Sequence, residues 1–201
     1  MSLPSWLGAM GSLLAFSAEV SPLYGQWTAA FEVGADRYWG GSVETGGEGR
    51  SFRPFRPTSF GLGLERRGNR LGWGVQMHYS EAGLGLEGPG AVAAVEGVFT
   101  VFGVSPELVY RLTTLGTVTE LRLHAGPLVE VWGIIDEQTR THFGGQGAVS
   151  LDIPIAGRFA GSVVAGVAVT PSPFEVGQLG ETFETRTLWR RRFALAVHYR
   201  L

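Results

Sequence analysis

The chain has 201 residues, only 17% of them charged, and a formal net charge of −2. That length bounds one domain, and the near-neutral charge excludes the basic footprint of a nucleic-acid binder. Cysteine is absent, which excludes disulfide scaffolds and thiolate metal sites, and every basic residue is arginine.

Leu7 to Phe16 is a short apolar run, followed by Ser17, Ala18 and then Pro22. It suits the core of an export signal and is too short to cross a bilayer. Residues 1–26 are therefore predicted to be a signal segment, although no Lys or Arg precedes Arg37. Residues 27–201 form the domain. No segment there has eighteen uninterrupted apolar residues, which argues against a helical membrane protein.

After residue 26, strand patterns alternate with turn-rich stretches. The first strand runs near Trp27 to Tyr38, with Trp27, Ala29, Phe31, Val33 and Ala35 on one face. The second is Ser59 to Arg66. Arg67-Gly68-Asn69 then makes a tight turn into the third, Leu71 to Ser80. The fourth covers Val98 to Leu112, the fifth Val118 to Val131 and the sixth His142 to Ile153. The seventh is Phe159 to Thr170 and the eighth Leu188 to Leu201. Connections after the even strands are short. Those after the odd strands are longer: Gly41 to Thr58, Glu81 to Gly97, Trp132 to Thr141 and Pro171 to Thr187. Short turns on one side and long loops on the other are the asymmetry of outer-membrane barrels.

The predicted fold is all-β: an eight-stranded antiparallel up-and-down transmembrane β-barrel. One face carries nearly all the large apolar residues, and the other carries Gly, Ala, Ser, Thr and charge. Small residues suit the narrow interior of eight strands. A soluble lipocalin-like barrel, apolar inside and polar outside, is the alternative fold for the same strands.

The last strand is the strongest signal. Phe193, Leu195, Val197, Tyr199 and Leu201 alternate with Ala194, Ala196, His198 and Arg200 up to the final residue. In this pattern the chain resembles small outer-membrane barrels of the OmpA/OmpX type over residues 27–201. The resemblance implies a bacterial outer-membrane location, a monomer, and recognition of Phe193–Leu201 by the barrel assembly machinery. Family members most often end in Phe, whereas this sequence ends in Leu201.

If the apolar residues face lipid, phase turns a polar set inward. The acids are Glu32, Asp36, Glu65, Glu107, Glu120, Glu130 and Asp152, and the bases Arg111, Arg122, Arg190, Arg192 and Arg200. All four histidines, His78, His124, His142 and His198, share that phase. Charges in a closed lumen must pair or be hydrated, so a packed ion-paired filling is expected. A conduction path is the other reading, and it needs rearrangement because eight strands leave no open pore. Arg191 breaks this pattern, since its phase points outward, and it is placed at the outer rim of the apolar band.

His78-Tyr79-Ser80-Glu81-Ala82-Gly83-Leu84 resembles the His-Tyr-Ser-Asn-Ala-Gly-Leu stretch of the lipid A 3-O-deacylases. These are eight-stranded outer-membrane enzymes. The resemblance implies His78 as general base, Ser80 as nucleophile, and Glu87 or Glu96 as orienter of the histidine. Fourteen residues beyond His78, where that family has its Glu, this chain has Val92. The motif also lies in strand three, and its phase is inward. No phosphate loop or nucleophile elbow occurs, and the histidines lack metal-ligand spacing, so neither cofactor nor metal is expected.

Arg50, Arg53 and Arg56 interleave with Phe52, Pro54 and Phe55 in the first long connection. Such a pattern could clamp lipopolysaccharide phosphates and acyl chains, or be an ordinary solvated loop with rim aromatics. The leading functional expectation is a non-enzymatic barrel with a structural, adhesive or envelope-integrity role and outer-membrane lipid as partner. A lipid A deacylase-like hydrolase using His78 and Ser80 is the second, and a soluble lipocalin-like binder the third.

Overall fold

The computed structural model describes residues 26–45, 50–88, 91–116, 118–134, 139–174 and 182–201. The proposed export segment lies outside the described residues, except for Gln26, which opens the first strand.

Eight antiparallel strands form one closed barrel in sequence order. They are β1 (Gln26–Glu44), β2 (Ser51–Arg67), β3 (Leu71–Gly88), β4 (Ala91–Leu115), β5 (Thr119–Ile134), β6 (Arg140–Ala156), β7 (Phe159–Thr170) and β8 (Phe183–Arg200). β1 closes on β8 from Thr28↔Arg200 to Glu44↔Phe183. Closure leaves no strand edge, the condition for a sheet to stand in lipid.

Strict alternation separates the two faces. Phe193, Leu195 and Val197 are 66%, 67% and 50% exposed on the outside, while Ala194 and Ala196 between them are buried. The outer surface is thus an apolar belt, the inverse of a lipocalin-like barrel, so the soluble alternative is corrected. Aromatic pairs mark its two edges. At the turn end Trp27 meets Trp73 at 5.3 Å and Phe159 meets Tyr199 at 5.0 Å. At the other end Trp39 stacks on Trp189 at 5.9 Å. Trp189 and Tyr199 lie on one strand roughly 25 Å apart in height, allowing for strand tilt, which matches an apolar band.

Two expected loops are shorter than the sequence suggested, because the strands run on. The Gly41–Thr58 connection is mostly the β1–β2 hairpin, and the Glu81–Gly97 connection is mostly β3 and β4. Register shifts at Gly40/Gly41, Phe55/Thr58 and Ala82/Leu84 explain the difference. A bulge adds one residue to one strand and flips the side-chain phase beyond it, so pairing continues where the alternation signal stops. Gly40 sits at such a shift with φ +83, and a Cβ there would collide with the Thr187 carbonyl oxygen. Only glycine fits that backbone.

The β4–β5 ladder has a gap between Val104↔Val129 and Leu108↔Ala125. Pro106 and Pro127 fall in it. Neither can donate to the ladder. Ser105 partly compensates by donating its hydroxyl to the Pro127 carbonyl at 2.7 Å.

Candidate functional site

The interior is built in tiers, each supplied by the inward phase of several strands. At the turn end, Arg122 on β5 lies 2.9 Å from Glu65 on β2 and also bonds Glu120 on its own strand. Arg111 on β4 meets Glu120 at 3.1 Å at the mouth, where both side chains are about a quarter exposed. Arg67 lies 3.0 Å from Asp152 and 3.2 Å from both Glu65 and His198 Nδ1. Ser162 donates to Asp152 at 2.6 Å and contacts His198 Nε2 at 2.7 Å. Three arginines and three carboxylates thus knit β2, β4, β5 and β6 together.

Above them is a cavity of about 80 Å³ lined by, among others, Glu32, Gln76, Glu107, His124, Gln146 and Arg192. Gln76 donates to Glu32 at 3.0 Å and Gln146 to Glu107 at 2.6 Å. His124 lies 3.3 Å from Glu107 and 3.0 Å from the Ser150 hydroxyl. These polar groups project among small apolar residues such as Ala30, Ala148 and Ala196, and the space suits a few bound waters at the polar groups rather than a channel.

The next tier is sealed. Arg190 on β8 lies 2.7 Å from Glu130 on β5 and 2.8 Å from His78 Nε2 on β3. All three side chains are at most 4% exposed. Trp132 donates its indole N–H to Glu130 at 3.1 Å. Arg192 bridges Glu32 at 3.0 Å and Asp36 at 3.9 Å, and Ser59 donates to Asp36 at 3.3 Å. The His78 ring lies so close to Gly103 that a Cβ there would overlap the imidazole.

A hydrophobic plug caps the interior. Tyr38, Phe99, Trp132, Phe174 and Leu188 are buried together, with Phe52, Leu84 and Val98 packed against them. Edge-on ring contacts of 5.8–5.9 Å join Tyr38 and Phe99 to Trp132, and Phe99 to Phe174. Such contacts add to burial and shut the top of the lumen.

The structure brings together Glu65, Glu120, Arg122 and Arg111 in one network, and Glu130 with Arg190 and Glu32 with Arg192 in another. Glu107 stands apart from both, with His124 and Gln146. Arg200 is half-buried at the base of β8, and His142 is half-buried near the far end of β6. Sequence reasoning missed Arg67, taken as a turn residue, which bonds two carboxylates inside. It also missed the plug. Tyr38, Phe99 and Leu188 lie inside their expected strands and Trp132 one residue past the fifth, all on the inward phase, and large apolar residues on that otherwise small or polar phase were the signal that could have found them.

His78 and Ser80 do share the inner face of β3, as their spacing implies, but both are buried below the plug. Among the described residues, neither Ser80 Oγ nor His78 Nδ1 has a hydrogen-bond partner, so none of them is placed as a base on that hydroxyl. The His78 Nε2 atom is already engaged by Arg190 and Glu130. The side chains of Glu87, Glu96 and Arg56 lie outside the described part. Arg53 donates to the Tyr38 carbonyl at 3.2 Å, Phe52 packs inward, and Arg50 is exposed at the hairpin end. The expected arginine–aromatic surface is therefore divided, because the Phe55/Thr58 bulge turns Phe52 into the plug. Among the described residues, no group of three or more His, Asp or Glu is placed to hold a metal ion.

No protein-family profile matches the chain, and no curated protein matches it in sequence. Solved structures do match. Neisserial surface protein A is 11% identical with a TM-score of 0.55, over 88% of this chain and 97% of that one. Outer membrane protein OprG from Pseudomonas aeruginosa is 12% identical with a TM-score of 0.51, over 88% and 96%. A major outer membrane protein from Thermus thermophilus is 14% identical with a TM-score of 0.51, over 87% and 99%. With its closed eight-strand ring, the chain has the fold of the small outer-membrane β-barrel proteins.

Proposed function

We propose that this chain is a non-enzymatic protein of the bacterial outer membrane, anchored by its barrel and serving a structural, adhesive or envelope-integrity role. The observation that carries this reading is a filled, capped interior inside an apolar outer belt. Among the described residues, the Arg190–Glu130–His78 tier and the aromatic plug close the lumen above the small cavity, which supports a reading without an open pore or a substrate pocket. What remains available for partners is the outside. The β1–β2 and β3–β4 hairpins continue well past the Trp39–Trp189 edge of the belt and form the surface such a role would use. In this reading the outward stripe from Phe193 to Leu201 is the part the assembly machinery would engage.

The test is insertion and its dependence on the belt. The purified protein should fold into lipid vesicles and migrate differently on gels before and after heating. Val163→Arg or Leu195→Arg, at outward and half- to two-thirds-exposed positions, should destabilise the inserted state by ~2–4 kcal/mol. A water-soluble wild-type protein, or arginine variants of unchanged stability in lipid, would contradict the reading. Ion conductance well above background in planar bilayers would contradict the closed lumen, and release of acyl chains from lipid A would contradict the non-enzymatic role.

A further inference from the structure

β8 carries three consecutive arginines, and their fates differ. Arg190 and Arg192 point inward and meet Glu130, Glu32 and Asp36. Arg191 points outward and is exposed, directly opposite outward Arg37 on β1. Facing residues on antiparallel strands have Cα atoms about 5 Å apart, and like charges in that position repel. Among the described residues, neither Arg37 nor Arg191 makes an ion pair. The Arg191 guanidinium instead lies 4.6 Å over the Trp39 ring, and Trp39 stacks on Trp189 one step further from the turns. The register puts Arg37 and Arg191 two residues toward the belt from these indoles, roughly 5 Å lower. Two cations therefore stand at the upper edge of an apolar belt with no anion supplied by the described residues.

We infer that Arg37 and Arg191 form a clamp for the phosphate of one membrane lipid, with Trp39 and Trp189 flanking its headgroup from above and Phe193, the next outward residue toward the belt, against the start of its acyl region. Guanidinium groups bind phosphate through paired N–H donors, and an anion between them turns repulsion into two charge-assisted contacts. The depth selects the source. A phosphate attached to acyl chains can sit at this level beside apolar neighbours such as Phe193 and Val167, whereas free phosphate would leave water to reach it. The inference rests on the membrane reading above and names a ligand for one place on the belt.

The test uses nanodiscs of phosphatidylcholine doped with phosphatidic acid, whose headgroup is a bare phosphate. Lipid retained by the purified barrel is counted by native mass spectrometry. The wild-type protein should retain phosphatidic acid about tenfold over its bulk fraction, and Arg37→Gln/Arg191→Gln should lose that enrichment. A charge-matched control, Arg70→Gln/Arg158→Gln in the exposed turns at the opposite rim, should keep it. Gel mobility before and after heating verifies folding. Should the double variant not fold, Arg191→Gln alone should lose most of the enrichment. No enrichment in inserted wild-type protein, or equal loss in both double variants, overturns the clamp while leaving the barrel reading intact. Displacement of the lipid by excess inorganic phosphate overturns the assignment to lipid. Failure of the wild-type protein to enter nanodiscs overturns the membrane reading and the clamp with it.

Discussion

The two ion-paired tiers use the same residue types in different surroundings. At the mouth, Arg111 and Glu120 are 28% and 23% exposed, so water and salt screen them. Beneath the plug, Arg190 and Glu130 are 4% and 2% exposed, held with His78 and Trp132 in one connected set. An exposed pair gains little, because solvent already satisfies both partners and ordering long side chains costs entropy. A sealed pair gains little net energy either, since desolvation offsets attraction. Breaking it, however, strands a charge with no water to receive it. The upper tier is therefore the place where single changes are costly, and the mouth is where they are tolerated.

Removing one side of the sealed pair should show the largest effect. Glu130→Ala should lower stability by ~3–5 kcal/mol, measured by denaturant unfolding in lipid vesicles, because Arg190 is then buried without a carboxylate partner at 2.7 Å. Replacing both, as Glu130→Leu/Arg190→Met, should recover much of that loss. If the double variant is as unstable as the single one, the stranded-charge explanation is wrong.

Trp132→Ala tests whether the plug provides the seal. The side chain is fully buried and touches Tyr38, Phe99 and Glu130, so a loss of ~3–5 kcal/mol is expected from the cavity. Opening the cap should also speed hydrogen exchange at the β5 and β8 amides nearest the plug. Unchanged exchange would mean that the ladders alone protect the interior.

Gly103→Ala is a smaller perturbation of the same tier. Its methyl group would overlap the His78 ring, forcing the imidazole off Arg190 and Glu130, with an expected cost of ~1–3 kcal/mol. His78→Ala in the same background should abolish most of that additional cost, which a double-mutant cycle would read directly.

Arg111→Ala completes the series at the mouth. It should cost less than about 1 kcal/mol, and that effect should shrink as salt is raised. A loss comparable with that of Glu130→Ala would show that the two tiers are not separated by solvent access.

The sequence by itself determined which side of each strand faces out. Side chains alternate with period two, so Phe193 to Tyr199, or Leu71 to Tyr79, can present one apolar face only if each strand is extended and one-sided. Short turns after the even strands and longer connections after the odd ones likewise set an even, up-and-down count. Tertiary structure alone decided the rest. Which arginine meets which carboxylate depends on cross-strand register, as Arg122 on β5 reaching Glu65 on β2 shows, since no spacing along the chain encodes a contact across the lumen. Arg67 looked like a turn residue because local composition signals a turn. Its inward role depends on Asp152 and His198 arriving from β6 and β8. The strands outran their alternation because bulges shift phase without ending the ladder. The unpaired outward Arg37 and Arg191 became a juxtaposition only when closure set β1 beside β8. Local pattern fixes the face on which a side chain stands, whereas its neighbour on that face is fixed by how distant strands are brought into register.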